Sequence, residues 1–313
     1  MDKIKALKVV TITLNPALDL TGHLTRLNKG AVNNVLKSAF QPAGKGVNVG
    51  KVLSELGAKV TLTGFLGMGN DADFCALFKR LGVADEFIRV AGNTRINVKV
   101  VEENNCVSDI NFPGISIDSD AICQFEKRLQ ELALSHDVFV LAGSLPPGIS
   151  AQLCAKWIAQ LKAQGKKVFF DSSNATLSAG FKAKPWLVKP NIDELEQYVG
   201  HALSSEHSRR HAGQQLLDSS IGNVVISLGA EGLMWLNHEG WLCARAPKMN
   251  VVSTVGAGDT LVAALCWGYL NQWSKEKVLR FATALSALAV TQVGVGVQDI
   301  KVVVAMSADI VIS

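Results

Sequence analysis

The chain has little of what marks a nucleic-acid-binding, secreted or membrane protein. Aromatic residues make up 6% of its 313 residues, and its net charge of +4 comes with no long basic run. Nucleic-acid surfaces need clustered cations and stacking rings, so no nucleic-acid partner is expected, although anionic small substrates are tolerated. Six cysteines (75, 106, 123, 154, 243 and 266) contain no C-x-x-C pair. Several fall in apolar helical stretches and read as reduced, buried thiols. The most apolar late stretch, residues 281–297, is broken by Thr, Ser, Gln and Gly, so no membrane span is expected. Residues 1–10 carry four charges and do not read as a signal peptide. A soluble cytoplasmic protein is the expectation. There is no G-x-x-x-x-G-K-[ST], which removes a Walker-type phosphate loop. Internal repeats and low-complexity linkers are also absent.

What is present is enough apolar material, 48% of the chain, to fill one large core or two smaller ones. The central stretch is Ser253-Thr254-Val255-Gly256-Ala257-Gly258-Asp259-Thr260, followed by a small-residue apolar run up to Gly268. It reads as a glycine turn opening a buried helix. The first amides of a helix lack intrahelical acceptors and attract anions, and an acid in that turn is favoured in its ionised form. Phosphate held by amides beside a carboxylate that accepts a proton suits phosphoryl transfer. A plain capping role for Asp259 fits the same local physics.

A second glycine turn, Pro42-Ala43-Gly44-Lys45-Gly46-Val47-Asn48, opens a helix that Gly57 ends. No clear strand precedes it and no acid follows at the Rossmann position, so a dinucleotide site is poorly supported. Residues 9–14 are a β-branched first strand, broken by Asn15-Pro16-Ala17-Leu18-Asp19. A carboxylate just past a strand end lies where open α/β sheets place ligands, although turn residues are common there. Residues 94–101 alternate, with Ile96, Val98 and Val100 on one face and Arg95, Asn97 and Lys99 on the other. The polar face suits a phosphate, or is a solvated edge. Asn191 and Glu194 share a helical face and suit either water-mediated Mg²⁺ or a helix cap.

V-G-A-G-D, the A-G-K-G-x-N turn, T-L-N-P-A-x-D, T-R-I-N-V-K, G-S-L-P, D-S-S, N-x-x-E and S-L-G-x-x-G occur in the order of a known family. The chain resembles the PfkB (ribokinase-like) carbohydrate kinases over about residues 9–300, most closely the branch acting on D-fructose 1-phosphate. Tagatose 6-phosphate and fructose 6-phosphate kinases, and a non-catalytic sugar-phosphate-binding regulator, are the alternatives. The resemblance implies a doubly wound, mainly parallel α/β sheet in one domain, 1–313, with a small β-sheet lid from segments about 15–40 and 92–113. It implies Asp259 as catalytic base, with Gly256, Ala257 and Gly258 as the anion hole. Asp19, Gly44, Lys45, Asn48, Arg95, Asn97, Lys99 and Ser144 would bind the phosphosugar. Lys189, Asn191, Ser227, Gly229, Gly232, Thr254, Gly256 and Gly258 would bind ATP, with Glu194 acting on Mg²⁺ through water. A homodimer paired through the lid is implied by analogy.

Overall fold

The computed structural model describes residues 7–104 and 106–313, so most of the charged N-terminal stretch lies outside the described residues. The chain runs β1 (Val9–Thr13), β2 (Ala17–Leu24), β3 (Lys37–Ala43), α1 (Lys45–Glu55), β4 (Val60–Gly67), α2 (Ala72–Leu81), β5 (Ala84–Asp85), β6 (Ile88–Val90), β7 (Arg95–Glu102) and β8 (Val107–Ile110). It continues through α3 (Ser119–Ser135), β9 (Val138–Ala142), α4 (Ala151–Ala163), β10 (Lys167–Asp171), α5 (Asn174–Lys182), β11 (Leu187–Val188), α6 (Ile192–Val199) and α7 (Glu206–Asp218). The last part is β12 (Asn223–Ser227), β13 (Leu233–Asn237), β14 (Gly240–Ala244), α8 (Ala257–Leu270), α9 (Lys275–Ala289) and α10 (Ile300–Asp309).

The main sheet has the order β14-β13-β12-β11-β10-β9-β1-β4-β5, with β6 also on β4. Its pairs are parallel from β5 to β12, and β13 and β14 form an antiparallel end. The central strands are buried at nearly every position because both faces are covered. Val138 and Val140 of β9 join the core with α1, α8 and α9, while Phe139 and Leu141 join the opposite core with α3 and α4. The period-2 pleat thus feeds two helical layers, which makes the doubly wound architecture. No helix among the described residues is long and apolar enough to cross a membrane.

A second sheet, β3-β2-β7-β8, stands over the carboxyl ends of the parallel strands. Its polarity is the reverse of an ordinary amphipathic sheet. Asp19 and Asn97 face each other in register and are buried, whereas Ile96 is 42% and Phe40 48% exposed. Leu20 lies opposite Phe40 and Val98, and Val98 opposite Ile110, so one apolar row crosses all four strands. The solvated-edge alternative for the Arg95–Lys99 face is therefore removed: it is the polar face that turns inward.

Two further expectations need correction. A strand, β3, does run directly into the Gly44 turn. Pro42 hid it, and Pro is tolerated because β3 is the edge of its sheet. Of the six thiols only Cys154 and Cys266 are buried, while Cys75, Cys106 and Cys123 are exposed. The apolar tail forms α10 and then returns to the main sheet's edge. Ile312 bridges Ala244, Cys243 N–H donates to the Ser313 carbonyl at 2.8 Å, and Arg245 N–H donates to the Val311 carbonyl at 3.1 Å.

Candidate active site

The parallel strands β1, β9, β10, β11 and β12 all point their carboxyl ends at one cavity of about 1150 Å³. Ligands collect at such edges because the loops diverge there. All the residues singled out from sequence line it: Asp19, Gly44, Lys45, Asn48, Arg95, Asn97, Lys99 and Ser144 on one side, and Lys189, Asn191, Glu194, Ser227, Gly229, Gly232, Thr254, Gly256, Ala257, Gly258 and Asp259 on the other. They come from turns spread over most of the chain, and the two-sheet arrangement gathers them.

At the nucleus of the cavity Asp259 lies in the first turn of α8, only 6% exposed. Gly256 begins that helix in the left-handed region, φ 81°, and a Cβ there would meet Val295 Cγ2 at 2.1 Å, so only glycine fits. The Ala257 N–H already donates to the Thr254 carbonyl at 3.3 Å, so an anion at this turn would be met mainly by the amides beyond it. Burial raises the Asp259 pKa to about 6, with Asp171 adding to the rise while Lys45, Asn48 and Lys189 oppose it. The Asn48 Nδ2–H donates to Asp259 Oδ2 at 2.7 Å.

Sequence reasoning passed over Asp171, taking it only as the end of a strand before a Ser-Ser turn. It ends β10, is 1% exposed, and forms ion pairs with both Lys45 Nζ and Lys189 Nζ at 3.2 Å. Burial alone would raise its pKa, but the two ammonium groups outweigh that and hold it below the usual carboxylate range. Lys45 is held above its ordinary value, chiefly by Asp171, with Asp259 and Glu194 adding to the effect. The signal was available: a carboxylate at the carboxyl end of an apolar parallel strand, the same placement that singled out Asp19.

The small sheet supplies the other wall. Lys99 Nζ meets Asp19 Oδ2 at 2.8 Å, and Asn97 Nδ2–H donates to Asp19 Oδ1 at 3.4 Å. Arg95 donates to the carbonyls of Pro16, Phe112 and Asn15 at 3.3, 2.7 and 2.9 Å and to Ser144 Oγ at 3.4 Å. A guanidinium has five N–H groups, so one remains for a ligand. Arg95 is thus largely a clamp on three loops. Asn15, also missed, reinforces it by donating to Pro113 O, Ser144 Oγ and Leu145 O.

On the opposite wall Asn191 and Glu194 form a reciprocal capping box. The Glu194 N–H donates to Asn191 Oδ1 at 2.7 Å, and the Asn191 N–H donates to Glu194 Oε2 at 2.9 Å. The cap is therefore real, and Glu194 still lines the cavity. Among the described residues no group of three or more His, Cys, Asp or Glu is placed to hold a metal. A single carboxylate reaching through water fits Mg²⁺, which retains much of its hydration. Beyond Gly232 the wall becomes more apolar, with Leu233, Met249, Val251, Ala287 and Val290.

The profile of the pfkB family of carbohydrate kinases matches residues 9–301. The chain is 63% identical over 292 residues to the 1-phosphofructokinase of Vibrio cholerae, covering 93% of this chain and 92% of that protein. It is 44% identical over 301 residues to the 1-phosphofructokinase of Escherichia coli, covering 96% of each. Among solved structures, phosphofructokinase-2 from Escherichia coli in complex with fructose-6-phosphate superposes with a TM-score of 0.89 at 26% identity, covering 97% of this chain and 99% of that one.

Proposed function

This chain belongs to the pfkB family of carbohydrate kinases, and on that premise we propose that it phosphorylates D-fructose 1-phosphate with ATP, giving fructose 1,6-bisphosphate and ADP. The observation that carries the substrate is 63% identity to a 1-phosphofructokinase over nearly the whole length of both chains. The cavity is consistent with it, offering cations on the small-sheet side and a buried carboxylate at the start of α8.

Asp259 is the general base. It accepts the proton of the sugar hydroxyl as that oxygen attacks the γ-phosphorus and the bond to the ADP oxygen breaks. Its raised pKa suits a group that must be ionised near neutrality yet take up a proton in the transition state. The amides at the start of α8, with Lys45 and Lys189, stabilise negative charge on the transferring group. The apolar wall around Met249 and Val290 takes the adenine, and Ser227, Gly229 and Gly232 take the rest of the nucleotide. Mg²⁺ would sit on the ATP phosphates with Glu194 orienting its water, supplying charge neutralisation. Asp19, Asn97, Lys99 and the remaining Arg95 N–H receive the phosphosugar, and the small sheet acts as a lid that excludes water.

The apolar row of that lid, with Leu20, Phe40 and Ile110 exposed and Val98 half-buried, is matched by a second copy of the same row in a homodimer. Sedimentation equilibrium checks this, and a monomer at micromolar concentration would refute it. The test of function is coupled ADP release with Mg·ATP, comparing kcat/KM for fructose 1-phosphate, fructose 6-phosphate and tagatose 6-phosphate. Preference for either 6-phosphate would keep the kinase and move the substrate.

A further inference from the structure

The motif reading gives Asn48 a sugar hydroxyl to bind, but the structure gives its amide to the carboxylate of Asp259. The two residues are 211 apart in sequence, one in the second turn of α1 and one in the first turn of α8. Their meeting depends on how deeply α1 lies on the sheet. A Cβ on Gly46 would come within 2.6 Å of the Ile12 carbonyl oxygen, and one on Gly50 within 2.4 Å of Leu62 Cδ2. With hydrogen at both positions, the helix backbone packs directly onto β1 and β4. The segment around Asn48 cannot sink further, and α8 packs against α1 in the same layer.

The geometry points to Asn48 as the positioning residue for the base, its amide holding Asp259 Oδ2 so that Oδ1 is the oxygen offered to the reacting hydroxyl. This rests on Asp259 being the base. A donated N–H prefers a carboxylate to a carboxylic acid, so the same contact keeps Asp259 ionised against the cost of burial. The other charged groups acting on Asp259 are Lys45 on α1, Lys189 after β11 and Asp171 at the end of β10, of which only Asp171 favours protonation. Glu194 on α6 faces Lys45. Asn48 is the neutral member of this set that touches the base directly.

The test is kcat and KM for fructose 1-phosphate as a function of pH in the full-length wild type, Asn48→Ala, Asn48→Asp and Asp259→Asn. Asn48→Ala should lower kcat about 10–100-fold, as expected when a reacting group loses its orientation. Its sugar KM should change little, and the acid limb of kcat should move to higher pH. Substrate phosphates titrate in the same range, but they are common to all variants and cancel in the comparison. Asn48→Asp keeps the side-chain shape, so it reports even if the alanine variant folds poorly. It replaces the donor by a second acid and should push the limb further up. A raised sugar KM with kcat and acid limb unchanged in both variants would overturn the proposal and return Asn48 to the sugar. Near-normal kcat in Asp259→Asn would instead remove the base itself, a failure of the underlying reading that the Asn48 variants cannot imitate.

Discussion

On the small sheet Lys99 meets Asp19 one to one and Arg95 is spent on backbone carbonyls, whereas at the strand ends one carboxylate, Asp171, serves two lysines and Asp259 is ionised against burial. On the first wall both cations already have partners, a carboxylate for Lys99 and neutral oxygens for Arg95. Under the proposed function, a phosphosugar arriving there exchanges one set of partners for another. The second wall holds its charges buried, and a charge held in a dry site acts strongly on a transition state and costs stability in the resting protein. In the proposed reaction, binding and chemistry are thus separated across a single cavity.

The largest expected break in this contrast is Asp259→Asn. It should lower kcat by about 10²–10⁴-fold while leaving the sugar KM nearly unchanged, measured by ADP release. A matching rise in KM would place Asp259 on the binding wall instead. Next is Asp171→Ala, which strands the ammonium of the buried Lys189. Loss of about 3–5 kcal/mol in urea denaturation is expected. A loss below about 1 kcal/mol would mean that the hub is not the buried anchor described.

Third is the stability of Asp259→Asn. A carboxyl whose folded pKa rises from 3.8 to about 6 binds its proton more tightly when folded. The group costs the fold nothing below its unfolded pKa, and the cost grows as pH rises through the folded pKa, reaching about 3 kcal/mol above it. Asp259→Asn should therefore be more stable than wild type at pH 8 by up to that amount, with the gain shrinking toward pH 4. Thermal melts at both pH values would reveal it, and an equal gain at both would point to packing rather than charge. The smallest effect is on the first wall. Lys99→Met should raise the phosphosugar KM about tenfold with little change in the ATP KM. A raised ATP KM would blur the division between the two walls.

The sequence made the two glycine turns and their helices legible because each is a local pattern: breaker, glycine, then a helical apolar run. Strands β1, β4, β9, β10 and β12 were equally plain, being short and largely apolar, whereas the two- and three-residue β5, β6 and β11 and the antiparallel β13 and β14 were not read as strands. The small sheet was less so. Period-2 alternation in β7 divides Arg95, Asn97 and Lys99 from Ile96 and Val98, but alternation has no sign. Only the position of the strand over the cavity decides which face turns inward. The position of Asp171 at a strand end was readable, but its pairing was hidden, because one partner, Lys45, is 126 residues away. The contact of Asn48 with Asp259 was illegible for the same reason, since nothing local announces it.

The return of the tail to β14 bears on how the molecule behaves in a crowded solution. A sheet ending at β14 would present a row of open N–H and C=O groups, a template on which another chain can add itself. Residues 311–313 take up part of that row with the protein's own backbone. Trimming those residues should show first as precipitation on standing, because what they guard is the solubility of the folded chain.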